Sequence, residues 1–252
     1  RHRPGREDRP HKRRIDRTEW ERLRKGAFSY SDQCIFTVHP IPMQAIIAFI
    51  QFAITPSDPQ LNLRRMEAFI RKAARQGAQL VVFPEDSVTG PLAGQTAFVP
   101  YAPTYLAHFR ALAVKYGVAL VPGSWTVQEG AALYNTTHFI NADGSMAGSY
   151  RKINLWDTEK AAITPGSAVS VFPTAFGRVG LIICWDLSFP PLFTAMNAQG
   201  VELVISPTYW SFTVPSGEVK SVKEDEVLLI DSLCTARAFE NNIVLAYCNA
   251  AG

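Results

Sequence analysis

The sequence lacks several features that would place it in a common protein class. Its 252 residues contain only four cysteines, none of them in a Cys-x-x-Cys pair: Cys34, Cys184, Cys234 and Cys248. This spacing is unlike a disulfide scaffold or a zinc site and favours reduced thiols in the cytoplasm. No residues have metal-ligand spacing and no glycine-rich phosphate loop occurs, so no metal and no cofactor are expected.

Long apolar runs are also missing. The longest, Met43–Ile54, is interrupted by Gln44 and Gln51 and is too short to cross a bilayer. It is therefore interpreted as a buried strand, and no membrane partner is predicted. Hydrophobic residues still make up 47% of the chain, which is enough to bury one large core in a single domain.

Positive charge is concentrated at the start of the chain. Residues 1–26 hold eleven of the 25 Lys and Arg residues but five of the 22 acidic residues, so they carry a charge of +6 and the rest carries −3. Because this segment has little to bury, it is predicted to be a disordered head rather than an arm that binds nucleic acid. Residues 1–42 are expected to lie outside the fold, and residues 43–252 to form the domain.

Strand and helix patterns alternate from Met43 onward. After the first strand, Asp58 and Pro59 begin a helix that Gly77 ends, and Asn141–Gly144 marks a hairpin between residues 133–140 and 145–153. Further helices are predicted over 105–116, 193–199 and 226–240, and further strands over 78–85, 118–124, 178–184, 201–207 and 243–250. This order predicts an α/β fold with mixed sheets. The chain stops directly after a strand, so further C-terminal structure is expected to be missing.

Three predicted strand ends carry reactive side chains: Glu85 in VVFPED, Lys152 in SYRKINLW and Cys184 in GLIICWD. In open α/β sheets, reactive groups collect where strands end. A thiol with a pKa of about 8.5 needs a base to remove its proton, and Glu85 could serve. Lys152 and the backbone N–H of Trp185 could then stabilise an oxyanion.

Other interpretations of these residues stay open. Taken alone, Cys184 is more often a packed core residue. Strand alternation allows only one of Arg151 and Lys152 to point inward. Asp186 is interpreted as a structural acceptor at the turn rather than a catalyst. A Cys–His scheme would instead need one of two histidines that have no sequence link to Cys184, namely His108 and His138.

Taken in order, VVFPED, YRKINLW and GLIICWDLSFP resemble the three signatures of the carbon–nitrogen hydrolase (nitrilase-like) superfamily. The resemblance implies an α-β-β-α sandwich that assembles as a homodimer or larger homo-oligomer. It implies Glu85 as general base, Lys152 as oxyanion stabiliser, Cys184 as nucleophile and Glu159 as a second glutamate that orients the lysine and the substrate. The segment Ala236–Asn242, ARAFENN, matches a further motif of the family.

The branch of the family is indicated by fewer residues. Cys184-Trp185-Asp186 followed by SFP looks more like amidases and carbamoyl-amide hydrolases than true nitrilases. A small amide or N-carbamoyl substrate is therefore predicted, with Tyr209 and Trp210 in the pocket wall. The alternatives are a true nitrilase, and a catalytically silent or truncated member that acts as an interaction protein.

Overall fold

The computed structural model describes residues 34–38, 45–91, 96–210 and 223–251, and it describes only the backbone of 34–38 and 223–225. The predicted disorder of the head therefore falls, for residues 1–33, outside the described residues. Within the described residues, no helix is both long enough and apolar enough to span a membrane.

Four α-helices lie in the described part of the chain, where the sequence predicts helices. They are α1 (Pro59–Arg75), α2 (Ala102–Tyr116), α3 (Pro190–Asn197) and α4 (Lys223–Asn241). The cap of α1 is as predicted: Oδ1 of Asp58 accepts a hydrogen bond from the N–H of Leu61 at 2.9 Å, and Pro59 opens the first turn. Gly77, just after this helix, has a φ of +84°.

The strands form two mixed sheets. They are β1 (Cys34–Val38), β2 (Ala45–Phe49), β3 (Leu80–Val82), β4 (Ala119–Val121), β5 (Ser124–Glu129), β6 (Ala132–Ile140), β7 (Met146–Arg151), β8 (Val171–Thr174), β9 (Gly177–Leu181), β10 (Leu203–Thr208) and β11 (Val244–Asn249). The first sheet has the order β1-β2-β3-β4-β6-β5, with β7 on the other side of β6, and the second has the order β11-β10-β9-β8.

Three of these strands were not predicted from the sequence. The strand β1 falls inside residues 1–42, yet it pairs antiparallel with β2, so these five residues differ from the prediction that the whole segment lies outside the fold. The strand β5 follows β4 after a turn at Gly123, whose φ is +81° and where a Cβ atom would come within 2.0 Å of the Pro84 carbonyl oxygen. The strand β8 contains Pro173 and lies at the edge of its sheet, where proline is tolerated.

The two sheets pack face to face with helices on both outer sides, as the α-β-β-α prediction requires. The alternation of side chains along β3 builds two of the layers: Val81 packs with residues of α1 and α2, whereas Leu80 and Val82 pack against the second sheet. On the second sheet, Val204 of β10 packs with α3 and α4. The space between the sheets is therefore apolar along most of its length.

Candidate active site

Three strand ends bring the predicted reactive residues to one place. Glu85 follows β3 and Lys152 follows β7 of the seven-stranded sheet, while Cys184 follows β9 of the four-stranded sheet. Because the sheets pack face to face, side chains that leave these ends towards the facing layer enter the same space. All three are buried, with exposures of 3% for Glu85, 2% for Lys152 and 8% for Cys184.

The ammonium group of Lys152 lies at the centre of this cluster. Its Nζ is 2.8 Å from Oε1 of Glu85 and 2.7 Å from Oε2 of Glu159. Burial alone would lower the pKa of Lys152, but the negative charges of Glu85, Cys184 and Glu159 outweigh burial and raise that pKa above its usual value. The lysine therefore stays protonated and provides a fixed positive charge inside the protein.

The backbone at Cys184 turns sharply. Extended Ile183 leads into a 3₁₀ turn over Cys184–Ser188, and Cys184 has a φ of 48°, in the left-handed region that a side chain disfavours. Such a turn directs the side chain away from the end of the strand. The thiol lies within electrostatic reach of Glu85 and Lys152, which both act on its pKa.

The Cys184 thiol is held in its neutral form. Burial raises the pKa of Cys184 well above its usual value, the charge of Glu85 raises it further, and Lys152 lowers it by less. The resting site therefore contains a thiol beside a carboxylate rather than a preformed thiolate. A thiol in this state becomes a strong nucleophile when a neighbouring base removes its proton.

Adjacent residues Arg151 and Lys152 point to opposite sides of the sheet, and Lys152 is the one that points inward. Arg151 is exposed, where it pairs with Glu129 and lies 4.0 Å from the centre of the Tyr134 ring. The alternation along β7 also places Tyr150 in the layer between the sheets. The sequence predicted that one of the two cations must face inward, and the structure identifies which.

Two residues that the sequence did not single out complete the network around the glutamates. Nδ2 of Asn135, on β6, donates to Oε1 of Glu85 and to Oε1 of Glu159, at 3.0 Å in each case. The backbone N–H of Trp156 donates to Oε2 of Glu159 at 2.7 Å. Alternation along the predicted strand places Asn135 on the same face as Phe139, so its inward direction could have been found from the sequence.

Asp186 has the structural environment that the sequence predicted. It is fully buried, and its two oxygens accept hydrogen bonds from the Tyr150 hydroxyl, the backbone N–H of Ile183, and both the backbone and side-chain N–H groups of Asn154, at 2.8 to 3.0 Å. These contacts tie the turn that carries Cys184 to the end of β7.

The residues predicted for the oxyanion hole and pocket wall lie around Cys184. Trp185 follows it directly, and its ring centre is 5.5 Å from that of Trp210 and 4.6 Å from that of Trp156. Tyr209 donates its backbone N–H to Oε2 of Glu85 at 3.0 Å. The site is thus bordered on one side by tryptophan rings. The part of the predicted pocket loop after Trp210 lies outside the described residues.

The histidines of the alternative Cys–His scheme lie elsewhere. His138 is on β6 and packs against Trp125, with ring centres 4.9 Å apart, on the helix-facing side of the sheet. Burial lowers its pKa to about 4. His108 lies in α2, on the outer layer of the sandwich. In the part of the chain that the structure describes, no group of three or more His, Cys, Asp or Glu side chains is arranged to hold a metal ion.

Comparison with known proteins gives consistent matches. The family model described as carbon–nitrogen hydrolase matches residues 46–252. A probable nitrilase from Schizosaccharomyces pombe is 31% identical over 220 residues, which cover 83% of this chain and 76% of that protein. An omega-amidase from Xenopus tropicalis is 28% identical over 213 residues, which cover 79% and 72%.

A solved structure matches at similar sequence identity and over a similar share of the chain. It is a variant of an amidase from Nesterenkonia sp. AN1 that shows Michael addition of acrylamide at its active-site cysteine. The TM-score is 0.70 at 30% identity, and the match covers 82% of this chain and 78% of that chain. The region matched by the family model contains every residue of the buried cluster.

Proposed function

This chain belongs to the carbon–nitrogen hydrolase family, and we propose that it hydrolyses a non-peptide C–N bond in an amide or an N-carbamoyl group. The observation that carries the proposal is the burial of the Cys184 thiol within electrostatic reach of Glu85, whose carboxylate is paired with Lys152. A nucleophile, a base and a fixed positive charge in one buried site are the groups that a two-step acyl transfer needs.

In the first step, Sγ of Cys184 bonds to the carbonyl carbon while its proton passes to Glu85. The carbonyl oxygen becomes an oxyanion, which Lys152 and the backbone N–H of Trp185 stabilise. The C–N bond then breaks, and Glu85 returns the proton to the departing nitrogen. Ammonia or an amine leaves, and the acyl group stays on the sulfur as a thioester.

In the second step, Glu85 removes a proton from water, and the resulting hydroxide attacks the thioester carbon. The oxyanion again lies beside Lys152. When the C–S bond breaks, the sulfur takes a proton back through Glu85, and the acid is released. Glu159 is also paired with Lys152, so the ammonium keeps a partner while the charge of Glu85 changes.

The pocket wall is proposed to include Tyr209 and Trp210. The ring of Trp210 lies near that of Trp185, and Tyr209 is tied to Glu85 through its backbone. A wall of aromatic rings beside the sulfur favours a small substrate with an apolar acyl part. The omega-amidase and Nesterenkonia relatives act as amidases, which supports an amide rather than a nitrile.

The test is an ammonia-release assay on the purified protein with three matched substrates: a small aliphatic amide, the corresponding nitrile, and an N-carbamoyl amine. Cys184→Ala should abolish release, whereas Cys234→Ala, which removes a thiol from α4, should leave it unchanged. Persistent release from the Cys184→Ala protein would contradict the mechanism. Faster turnover of the nitrile than of its amide would instead favour the nitrilase alternative.

A catalytically silent protein is the second alternative. Its thiol would fail to react although it lies beside a base, so labelling by iodoacetamide at pH 8 separates it from an enzyme. If the protein is an enzyme, mass spectrometry should find the label on Cys184 of the wild-type protein within the time that a free thiol needs to react with iodoacetamide. An unlabelled Cys184 together with no ammonia release would support the silent form.

We also propose that the protein forms a homodimer or a larger homo-oligomer through α4. The exposed face of this helix carries large apolar side chains, with exposures of 54% for Leu228, 47% for Leu229 and 89% for Phe239. Between them lie small uncharged residues, Ser232, Thr235 and Ala236. A face with large apolar side chains and small residues between them can pair with a second copy of itself about a two-fold axis.

Phe239→Glu should therefore reduce the molar mass measured by light scattering, while Lys115→Glu on α2 should not. A wild-type protein that is monomeric at high concentration would contradict this pairing. The predicted location in the cytoplasm is a proposal that rests on the pattern of cysteines alone.

A further inference from the structure

Asn135 is in contact with more residues of the cluster than any other uncharged residue described above. Its side-chain Nδ2 is 3.0 Å from Oε1 of Glu85 and 3.0 Å from Oε1 of Glu159. Its backbone carbonyl accepts the backbone N–H of Lys152 at 2.9 Å. One residue on β6 therefore holds the base, the second glutamate and the main chain of the lysine.

The charges of the cluster explain why a further donor is needed. Glu85 and Glu159 are two carboxylates that share one ammonium, that of Lys152. Like charges this close repel each other when both are ionised. The amide of Asn135 places its two N–H groups between them, and hydrogen bonds to the ionised form of a carboxylate favour that form.

We propose that Asn135 is a positioning residue that bridges Glu85 and Glu159 and keeps Glu85 aimed at the Cys184 thiol. The role requires an amide. A carboxylate at this position would add a third negative charge, and an apolar side chain would leave both glutamates short of a donor. Oδ1 of Asn135 is buried and has no hydrogen-bond partner among the described residues. The hydrogen bonds of this side chain are therefore made by Nδ2 and not by that oxygen.

The surroundings of Glu85 contain several other titratable groups. Its carboxylate interacts with Lys152 and Asn135 from the first sheet, with the thiol of Cys184 from the second, and electrostatically with Asp86 and Tyr247. The pKa of Asp86 is raised by burial and then by Glu85, and the pKa of Tyr247 is raised by burial first.

The experiment compares Asn135→Leu and Asn135→Asp with Thr136→Val. Thr136 is the next residue on β6, is equally buried, and donates its hydroxyl to the Tyr134 carbonyl. Thr136→Val therefore removes one buried hydrogen bond beside the bridge without touching it. The backbone bond from Lys152 to residue 135 is available in every variant. Thermal melting of all three variants establishes that they fold.

The first readout is the rate of iodoacetamide labelling of Cys184 as a function of pH, followed by intact mass. Because hydrogen bonds favour the ionised form of a carboxylate, loss of the bridge should make the thiol proton of Cys184 harder to remove. The rise of the labelling rate should then move to higher pH in Asn135→Leu, and further in Asn135→Asp. Thr136→Val should give the wild-type profile. This readout needs no substrate, so it tests the bridge even if the proposed function fails.

The second readout rests on the proposed function. In the amide assay, kcat/KM should fall roughly 10- to 100-fold in Asn135→Leu, as expected for loss of hydrogen bonds to charged groups. The acid limb of its pH profile should move in the same direction as the labelling curve. Folded Asn135 variants whose labelling profile matches that of Thr136→Val would overturn the proposal. Absence of ammonia release from the wild type, with a shifted labelling profile, would overturn the function and leave the bridge standing.

Discussion

Glu85 and Asp186 are both buried carboxylates beside Cys184, yet their surroundings differ in kind. Glu85 is paired with the ammonium of Lys152 and interacts electrostatically with the Cys184 thiol. Asp186 contacts no cation within hydrogen-bonding distance in the described structure, and its oxygens accept from neutral groups that the turn and β7 supply. Glu85 is therefore surrounded by groups that can exchange charge and protons, and Asp186 by groups that cannot.

This difference separates a carboxylate that can do chemistry from one that builds structure. The donors to Asp186 keep their protons under ordinary conditions, so the carboxylate has no proton to take. Glu85 has such a proton next to it on the Cys184 thiol. Burial and hydrogen bonding alone do not distinguish the two residues, and the identity of the partners does.

The largest effect is expected for Glu85→Gln, which preserves the shape of the side chain and removes the base. The rate of amide hydrolysis should fall about 10²- to 10⁴-fold, the usual contribution of a general base. Lys152 keeps Glu159 as a partner, so the fold should survive. Steady-state ammonia release measures the loss of rate, and a urea melt tests whether the fold survives. Activity within tenfold of wild type would mean that another group removes the thiol proton.

For Asp186→Ala, the expected effect is a loss of stability. It leaves the donors of Tyr150, Ile183 and Asn154 without an acceptor, so the free energy of unfolding should fall by about 3 kcal/mol or more. Urea unfolding followed by circular dichroism measures it. An Asp186→Ala protein that is as stable as wild type but inactive would erase the distinction between the two carboxylates, since Asp186 would then have a chemical role.

A smaller loss is expected for Tyr150→Phe, which removes one donor to Asp186 and the acceptor of the Ile153 N–H and keeps the packing of the ring. The net value of one hydrogen bond to a charged group predicts a loss of about 1.5 to 3 kcal/mol, at most that of Asp186→Ala. Urea melts of both variants test this order of stability losses. A Tyr150→Phe protein less stable than Asp186→Ala would show that the bond from the Ile153 N–H to the hydroxyl stabilises the fold more than the bonds to Asp186 do.

The smallest effect concerns pH. Burial raises the pKa of Asp186 above its usual value, more than its donors lower it. The folded protein therefore binds this proton more tightly than the unfolded chain does. The stability advantage of wild type over Asp186→Asn should be greatest below pH about 4, the usual range of an aspartate, and should shrink as pH rises through the raised pKa. Paired urea melts from pH 4 to 7 measure this difference, and an advantage that grows with pH would contradict it.

Much of the fold and the central part of the site could be predicted from the sequence because the signals are local. Asp58 and Pro59 mark the start of α1 by their own chemistry, and Glu85, Lys152 and Cys184 each stand at the end of an apolar strand. The strands that escaped prediction lack such signals. The strand β5 follows β4 so closely that the two are not distinguished unless the turn at Gly123 is known. Pro173 interrupts the strand pattern of β8.

The remainder of the site depends on contacts between distant segments. The direction of Asn135 follows from strand alternation, but its two partners lie 50 and 24 residues away in the sequence. Trp156 contributes a backbone N–H, which no side-chain pattern reveals. Strand alternation alone allowed either Arg151 or Lys152 to be the inner cation, the family resemblance favoured Lys152, and Lys152 is the one that is buried.

The φ of 48° at Cys184 bears on how the protein could lose its chemistry. Any residue with a β-carbon pays roughly 1–2 kcal/mol to adopt this conformation, and glycine adopts it freely. A lineage released from selection for the reaction would therefore gain by exchanging this cysteine for glycine, and relaxation of the main chain would offset the lost packing. Glycine at this position is thus the expected mark of a decayed copy.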